Sequence, residues 1–229
     1  MPSQTVDTLL HARWVIPVQP ERTFLDHHSV AIRAGRIVDI LPSVVARGRY
    51  AARETIELAQ HALIPGLINA HTHAAMSLFR GLADDLPLMD WLTQHIWPAE
   101  ARWLNPEFVR DGVRLAAAEM LKGGTTCLND MYFFAEDAAA VLHETGMRAC
   151  LGLILIDFPT AYAQTADEYF DKALKLHDSL RHDPLLRTAF APHAPYSVSD
   201  GPLTRIRTVN NELNLPVHMH VHETAHEVE

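Results

Sequence analysis

The stretch LIPGLINAHTH, residues 63–73, decides how the chain is read. Its largely apolar run over 63–70, with Pro65-Gly66 and Asn69 within it, ends in His71-Thr72-His73. A short, continuously apolar run of this kind fits a strand of a parallel sheet buried on both faces. Side chains two apart on a strand share a face. His71 and His73 can therefore grip one ion at the strand's C-terminal end, where barrel enzymes build their sites.

Working outward, the hydrophobic period changes on either side of this stretch. Before it, residues 8–18 and 29–41 read as β, broken by Pro17, Pro20 and Pro42, with Ala34-Gly35 as a hairpin turn. The expectation is a small β-sandwich domain over residues 1–63. After it, strands and helices alternate. Asn105-Pro106 opens a helix as N-cap and first-turn proline; Val109, Val113, Ala116, Ala117 and Met120 form its apolar face, and Gly123-Gly124 stops it. Strands follow at 125–131, 148–156, 186–191 and 217–222, separated by helices at 137–144, 166–180 and 203–213. Such alternation implies a parallel sheet, doubly wound or closed as a (β/α)8 barrel. The barrel reading assigns residues 64–229 to five strand-helix units of a truncated barrel, because a complete one needs about 250 residues.

Composition excludes several classes. The 229 residues carry 19 Lys+Arg against 28 Asp+Glu, a formal charge of −9, which disfavours nucleic acid and anionic membrane as partners. No apolar run approaches the roughly 18 residues of a membrane span. The first residues lack the basic start and cleavage site of a secretory signal. Two cysteines, Cys127 and Cys150, lie in apolar stretches and read as buried free thiols of a cytoplasmic protein. Histidine is in excess: 15 of 229 residues, about three times ordinary usage.

A second histidine cluster, His218-Met219-His220-Val221-His222-Glu223, ends the last strand. His218, His220 and His222 would share one face of it, and three imidazoles on an apolar strand are costly without a partner. One of them, with His71 and His73, completes a three-nitrogen site that leaves a position open for water; periodicity does not say which. Glu223 could carry a proton from water to substrate. There is no phosphate-binding glycine loop, Cys-x-x-Cys or Gly-x-Ser-x-Gly elbow to support another chemistry.

Residues 65–73, PGLINAHTH, resemble the first-strand signature of the amidohydrolase superfamily. AAMSLFRGLADDLPLMDW over 74–91 narrows this to the 5-methylthioadenosine/S-adenosylhomocysteine deaminases, relatives of the triazine chlorohydrolases. Asp130-Met131-Tyr132-Phe133, residues 191–196 and residues 220–224 keep that family's order. The resemblance implies His71, His73 and His220 as ligands of one divalent metal, zinc first, with iron or manganese as alternatives. It implies Glu223 as the proton shuttle, Glu100 as the carboxylate that binds ribose hydroxyls, His193 as a substrate contact and Trp91 as a pocket wall. It implies hydrolytic deamination of an adenosine-type thioether nucleoside; half a barrel leaves unpaired strand edges and exposed apolar faces, from which a homo-oligomer is expected.

Two departures qualify it. The third strand, Leu151-Gly152-Leu153-Ile154-Leu155, lacks the arginine that the family sets against the distal end of the substrate. That favours methylthioadenosine over the charged tail of S-adenosylhomocysteine. The family also needs a histidine on strand six and an aspartate on strand eight, both of which would fall beyond Glu229, so this piece alone is expected to be inactive. Triazine dechlorination, guanine deamination and a metal-free scaffold are the competing readings.

Overall fold

The computed structural model describes residues 4–229. The chain divides into two compact units, Met1–Gly66 and Leu67–Glu229.

The first unit is a four-stranded sheet with strands β1 (Gln4–Val15), β2 (Leu25–Arg33), β3 (Arg36–Pro42) and β4 (Tyr50–Leu63), ordered β3-β2-β1-β4. β1–β2 and β2–β3 are antiparallel, and β4 runs parallel to β1. Ala34 and Gly35 make the β2–β3 turn with φ of 51° and 71°, the left-handed pair that a two-residue hairpin needs. Helix α1 (Ser43–Arg49) carries the chain from one edge of the sheet to the other, a crossover that parallel pairing requires. Val6, Leu9, Ala31, Leu41, Ala46 and Tyr50 form the core of this unit. The sequence reading anticipated neither α1 nor β4, whose charged residues leave most of the strand exposed. The described residues of this unit form one four-stranded sheet.

The second unit begins with β5 (Leu67–Thr72), followed by a 3-10 turn over Ala74–Phe79. Helix α2 (Leu88–Trp91) continues through a wide π-helical turn, Leu92–Ile96, into α3 (Trp97–Trp103). Then come α4 (Pro106–Lys122), β6 (Thr125–Asp130), α5 (Ala135–Thr145), β7 (Arg148–Leu155), α6 (Ala166–Leu180), β8 (Leu186–Pro192), α7 (Asp200–Leu213) and the short α8 (Ala225–Val228). The helix starts follow from their caps: Asn105 accepts from the Phe108 amide at 2.9 Å and Thr165 from the Glu168 amide at 3.2 Å. Gly146, at φ 68°, ends α5.

The four strands are parallel and sequential, β5-β6-β7-β8. A doubly wound sheet reverses strand order at a switch point; this one does not, and it follows the order of a barrel. Tyr169 and Phe170 of α6, Leu151, Leu153 and Leu155 of β7 and Phe190 of β8 are almost fully buried. Each such side chain contributes about 1.5–3 kcal/mol.

The expected fifth strand over 217–222 is a correction. Only Val217 forms a bridge, to Phe190. The segment follows β8 through Phe190 N–H to Pro216 O, His218 N–H to Phe190 O and His220 N–H to His193 O. It has no ladder partner on its other side among the described residues, and His222 turns to a φ of 61°. That breaks the alternation that would have set His222 on the face of His218 and His220. Cys127 and Cys150 are half-buried, not buried. No helix among the described residues is long and apolar enough to cross a membrane.

One glycine links fold to site. A Cβ at Gly112 would sit 2.4 Å from the Ala75 carbonyl oxygen and 2.7 Å from its Cα. The lack of a side chain therefore lets α4 close onto the backbone two residues past His73. Gly112→Ala is expected to cost about 1–3 kcal/mol through overpacking; a denaturant unfolding curve identical to wild type would refute this contact.

Candidate active site

The end of β6 holds the His71–His73 segment in place. Thr72 Oγ1 donates to Asn129 O at 2.7 Å, and the Met131 amide donates to Thr72 O at 3.0 Å. Ala74 N–H donates to Asp130 Oδ1 at 2.7 Å. His73 Nδ1 donates to Met131 O at 2.6 Å, which assigns its proton and leaves Nε2 unprotonated.

His71, His73 and His220 converge. One ring nitrogen from each lies within 4.8 Å of the others. The ring centroids are 5.3 Å apart for His71–His73, 5.0 Å for His71–His220 and 4.9 Å for His73–His220. Burial, reinforced by neighbouring imidazoles, pushes His73 down to about 4, and burial also lowers His220. A neutral imidazole whose tautomer is fixed, as at His73, is a competent metal ligand, and a three-nitrogen set fits a divalent first-row ion. Of the three histidines at 218, 220 and 222, the geometry brings only His220 into this group; His222 is exposed.

Glu223 stands beside the cluster. Its Oε1 is 3.9 Å from His220 Nδ1, and its Oε2 accepts from Tyr196 O–H at 2.9 Å. His193 packs edge-on to His220, with centroids 5.1 Å apart. Burial, with help from His220 and His73, pushes His193 down to about 4, so it too is neutral.

These groups border one cavity of about 400 Å³, within the usual range for small-molecule sites. His73, His193, His220, Glu223, Glu100 and Tyr132 supply its polar wall, and Trp91, Leu92, Ile96, Ile154 and Phe158 are among its apolar lining. Trp97 and Phe158 meet at 5.7 Å between centroids. Glu100, on α3, accepts from Tyr132 O–H at 2.7 Å. Burial raises it to about 7 against that hydrogen bond. Every residue singled out from the sequence (His71, His73, His220, Glu223, Glu100, His193 and Trp91) thus lies in the cluster or on the cavity wall. Tyr132, Tyr196 and the Met131 carbonyl were not assigned roles from sequence. The two tyrosines stood inside quoted motifs, but a backbone carbonyl has no side-chain signature.

Residues 62–229 match the amidohydrolase family, and the chain belongs to it. It is 50% identical over 222 residues to a protein of Saccharophagus degradans named 5-methylthioadenosine/S-adenosylhomocysteine deaminase, covering 97% of this chain and 50% of that relative. The crystal structure of an adenosine deaminase from Xanthomonas campestris with bound zinc superposes with a TM-score of 0.97 at 54% identity, over 99% of this chain and 52% of that one. A triazine hydrolase from Arthrobacter aurescens, at 19% identity and a TM-score of 0.82 over 94% of this chain and 52% of that one, shares the fold. The chain spans about half the length of the curated relatives it matches.

Asp130 generates a pH test. Burial raises it to about 7, partly offset by the Ala74 N–H bond, from an ordinary value of 3.8. The native state then binds the proton more tightly than the unfolded chain. Stability from this group is full below pH 3.8 and falls as pH rises towards 7, by about 1.4 kcal/mol per unit at its steepest. In metal-free protein, Asp130→Asn keeps the acceptor for Ala74 and should flatten that fall. Parallel stability-pH curves for wild type and variant would show the burial argument to be wrong.

Proposed function

We propose that the intact protein is a metal-dependent hydrolytic deaminase of adenosine-type nucleosides carrying a neutral 5′-thioether, with 5′-methylthioadenosine as the preferred substrate. The observation that carries this is the convergence of His71, His73 and His220, with His73, His220 and Glu223 on the wall of a cavity that is otherwise mainly apolar. The name of the Saccharophagus degradans relative and the zinc in the Xanthomonas campestris structure support it.

His71, His73 and His220 would hold the ion, and zinc suits a neutral nitrogen set. When bound, such an ion supplies a water nucleophile at neutral pH. Overall, water replaces the exocyclic amine at the ring carbon, giving the inosyl product and ammonia. Glu223 accepts the proton of the attacking water and passes it to the adjacent ring nitrogen. Tyr196 orients it by holding Oε2, which leaves Oε1 for the transfer. Glu100, steadied by Tyr132, takes the ribose hydroxyls as acceptor, His193 contacts the base, and Trp91 packs against the substrate.

The lining has no lysine or arginine among the described residues. The carboxylate of an amino-acid tail would therefore lose water without gaining a counterion. Ammonia release should favour methylthioadenosine over S-adenosylhomocysteine by at least about tenfold in kcat/KM, a difference of about 1.4 kcal/mol. Activity confined to guanine, or chloride release from a chlorotriazine without nucleoside deamination, would overturn the assignment. Glu223→Gln should lower kcat by about 10²–10⁴-fold while leaving KM nearly unchanged; wild-type turnover would remove Glu223 from the proton path.

A further inference from the structure

The side-chain amide of Asn129, on β6, faces two groups at once. Its Nδ2 donates to Ala70 O at 3.1 Å and lies 3.1 Å from His218 Nδ1. A carbonyl only accepts, so the nitrogen of the amide, not its oxygen, must face this way. Both amide hydrogens are then used, and His218 Nδ1 is an acceptor with its ring proton on Nε2. Ala70 precedes His71, and His218 stands two residues before His220. One amide therefore ties together the two segments that carry the converging histidines, which are far apart in sequence and share no direct strand pairing.

The surroundings are built for this ring. A Cβ at Gly152 would lie 3.2 Å from His218 Nε2, and also 2.9 Å from both the Asp130 carbonyl and the Ala191 Cβ. A side chain there would press on the imidazole. His218 Nε2 is itself buried and has no hydrogen-bond partner. The ring is thus held through Asn129 alone, with its Nε2 N–H left unmet.

We propose that Asn129 is a positioning residue for the three-histidine cluster, setting the spacing of His71 and His220 by bridging Ala70 and His218. The proposal rests on the metal-site reading given above. Its test is zinc affinity, measured by chelator competition on the metal-free intact protein. Asn129→Ala should weaken zinc binding by about 10–100-fold, the usual cost of losing an outer-sphere partner. Val141→Ala, a truncation of a buried α5 residue outside the cavity lining, serves as the stability control and should keep wild-type affinity. Zinc binding by Asn129→Ala at wild-type strength, with His71→Ala binding none, would overturn this proposal alone; a wild type that binds no zinc would overturn the metal site as well. Should Asn129→Ala fail to fold, His218→Ala removes the same bridge, and unchanged affinity there is equally fatal. Long-range proton–nitrogen spectra of the metal-free wild type give a readout independent of zinc: they should show His218 protonated at Nε2, and the opposite tautomer would contradict the bridge.

Discussion

The pairing of the end of β5 with the end of β6 is the constraint on which the rest depends. Residues 70–74 would otherwise be a short turn bearing two imidazoles that repel any charge on each other. Thr72, His73 and Ala74 are instead bonded to Asn129, Met131 and Asp130. Each of these bonds is worth only about 1 kcal/mol net. Together they fix the backbone, the tautomer of His73 and the direction of the chain as it enters the 3-10 turn. Gly112 then allows α4 to close behind that turn. The third converging histidine, His220, is brought in by a different route, through its backbone bond to His193 just after β8.

Burial in this scaffold disfavours protonation of His73, His193 and His220. Burial dominates the lowering at His73, His193 and His220. The same desolvation raises the carboxyls of Glu100 and Asp130. A mostly apolar cavity thus has two effects: it removes competing protons from the imidazoles, and it strengthens each remaining polar contact by lowering the local dielectric. The proposed hydrolysis at an aromatic ring carbon would draw on such nitrogen donors and a nearby carboxylate in a space sized for a small molecule.

Much of this was legible in the sequence because it rests on local signals. Helix α6 matches its expected span because Thr165 caps it and its apolar residues recur at helical spacing. The turn at Ala34-Gly35 and the helix start at Asn105-Pro106 follow from backbone preferences of the residues themselves. The pair His71 and His73 was visible from strand alternation alone, and the selection of His220 came from resemblance. What was not legible depends on tertiary partners. β4 is exposed and charged, and only its pairing with β1 makes it a strand. The segment after Val217 has a strand-like sequence, but it pairs along one side only, so it stays irregular. The roles of Asn129, Tyr132 and the Met131 carbonyl appear only when β5, β6 and α3 are brought together.

In the proposed site three imidazoles of this chain ligate one ion. X-ray absorption at the zinc K-edge of the loaded intact protein tests it most directly. The account predicts a first shell of nitrogen and oxygen at about 2.0–2.1 Å with the outer scattering of imidazole rings. A shell containing sulfur at about 2.3 Å would contradict it, because a thiolate would then hold the zinc in place of an imidazole of His71, His73 or His220.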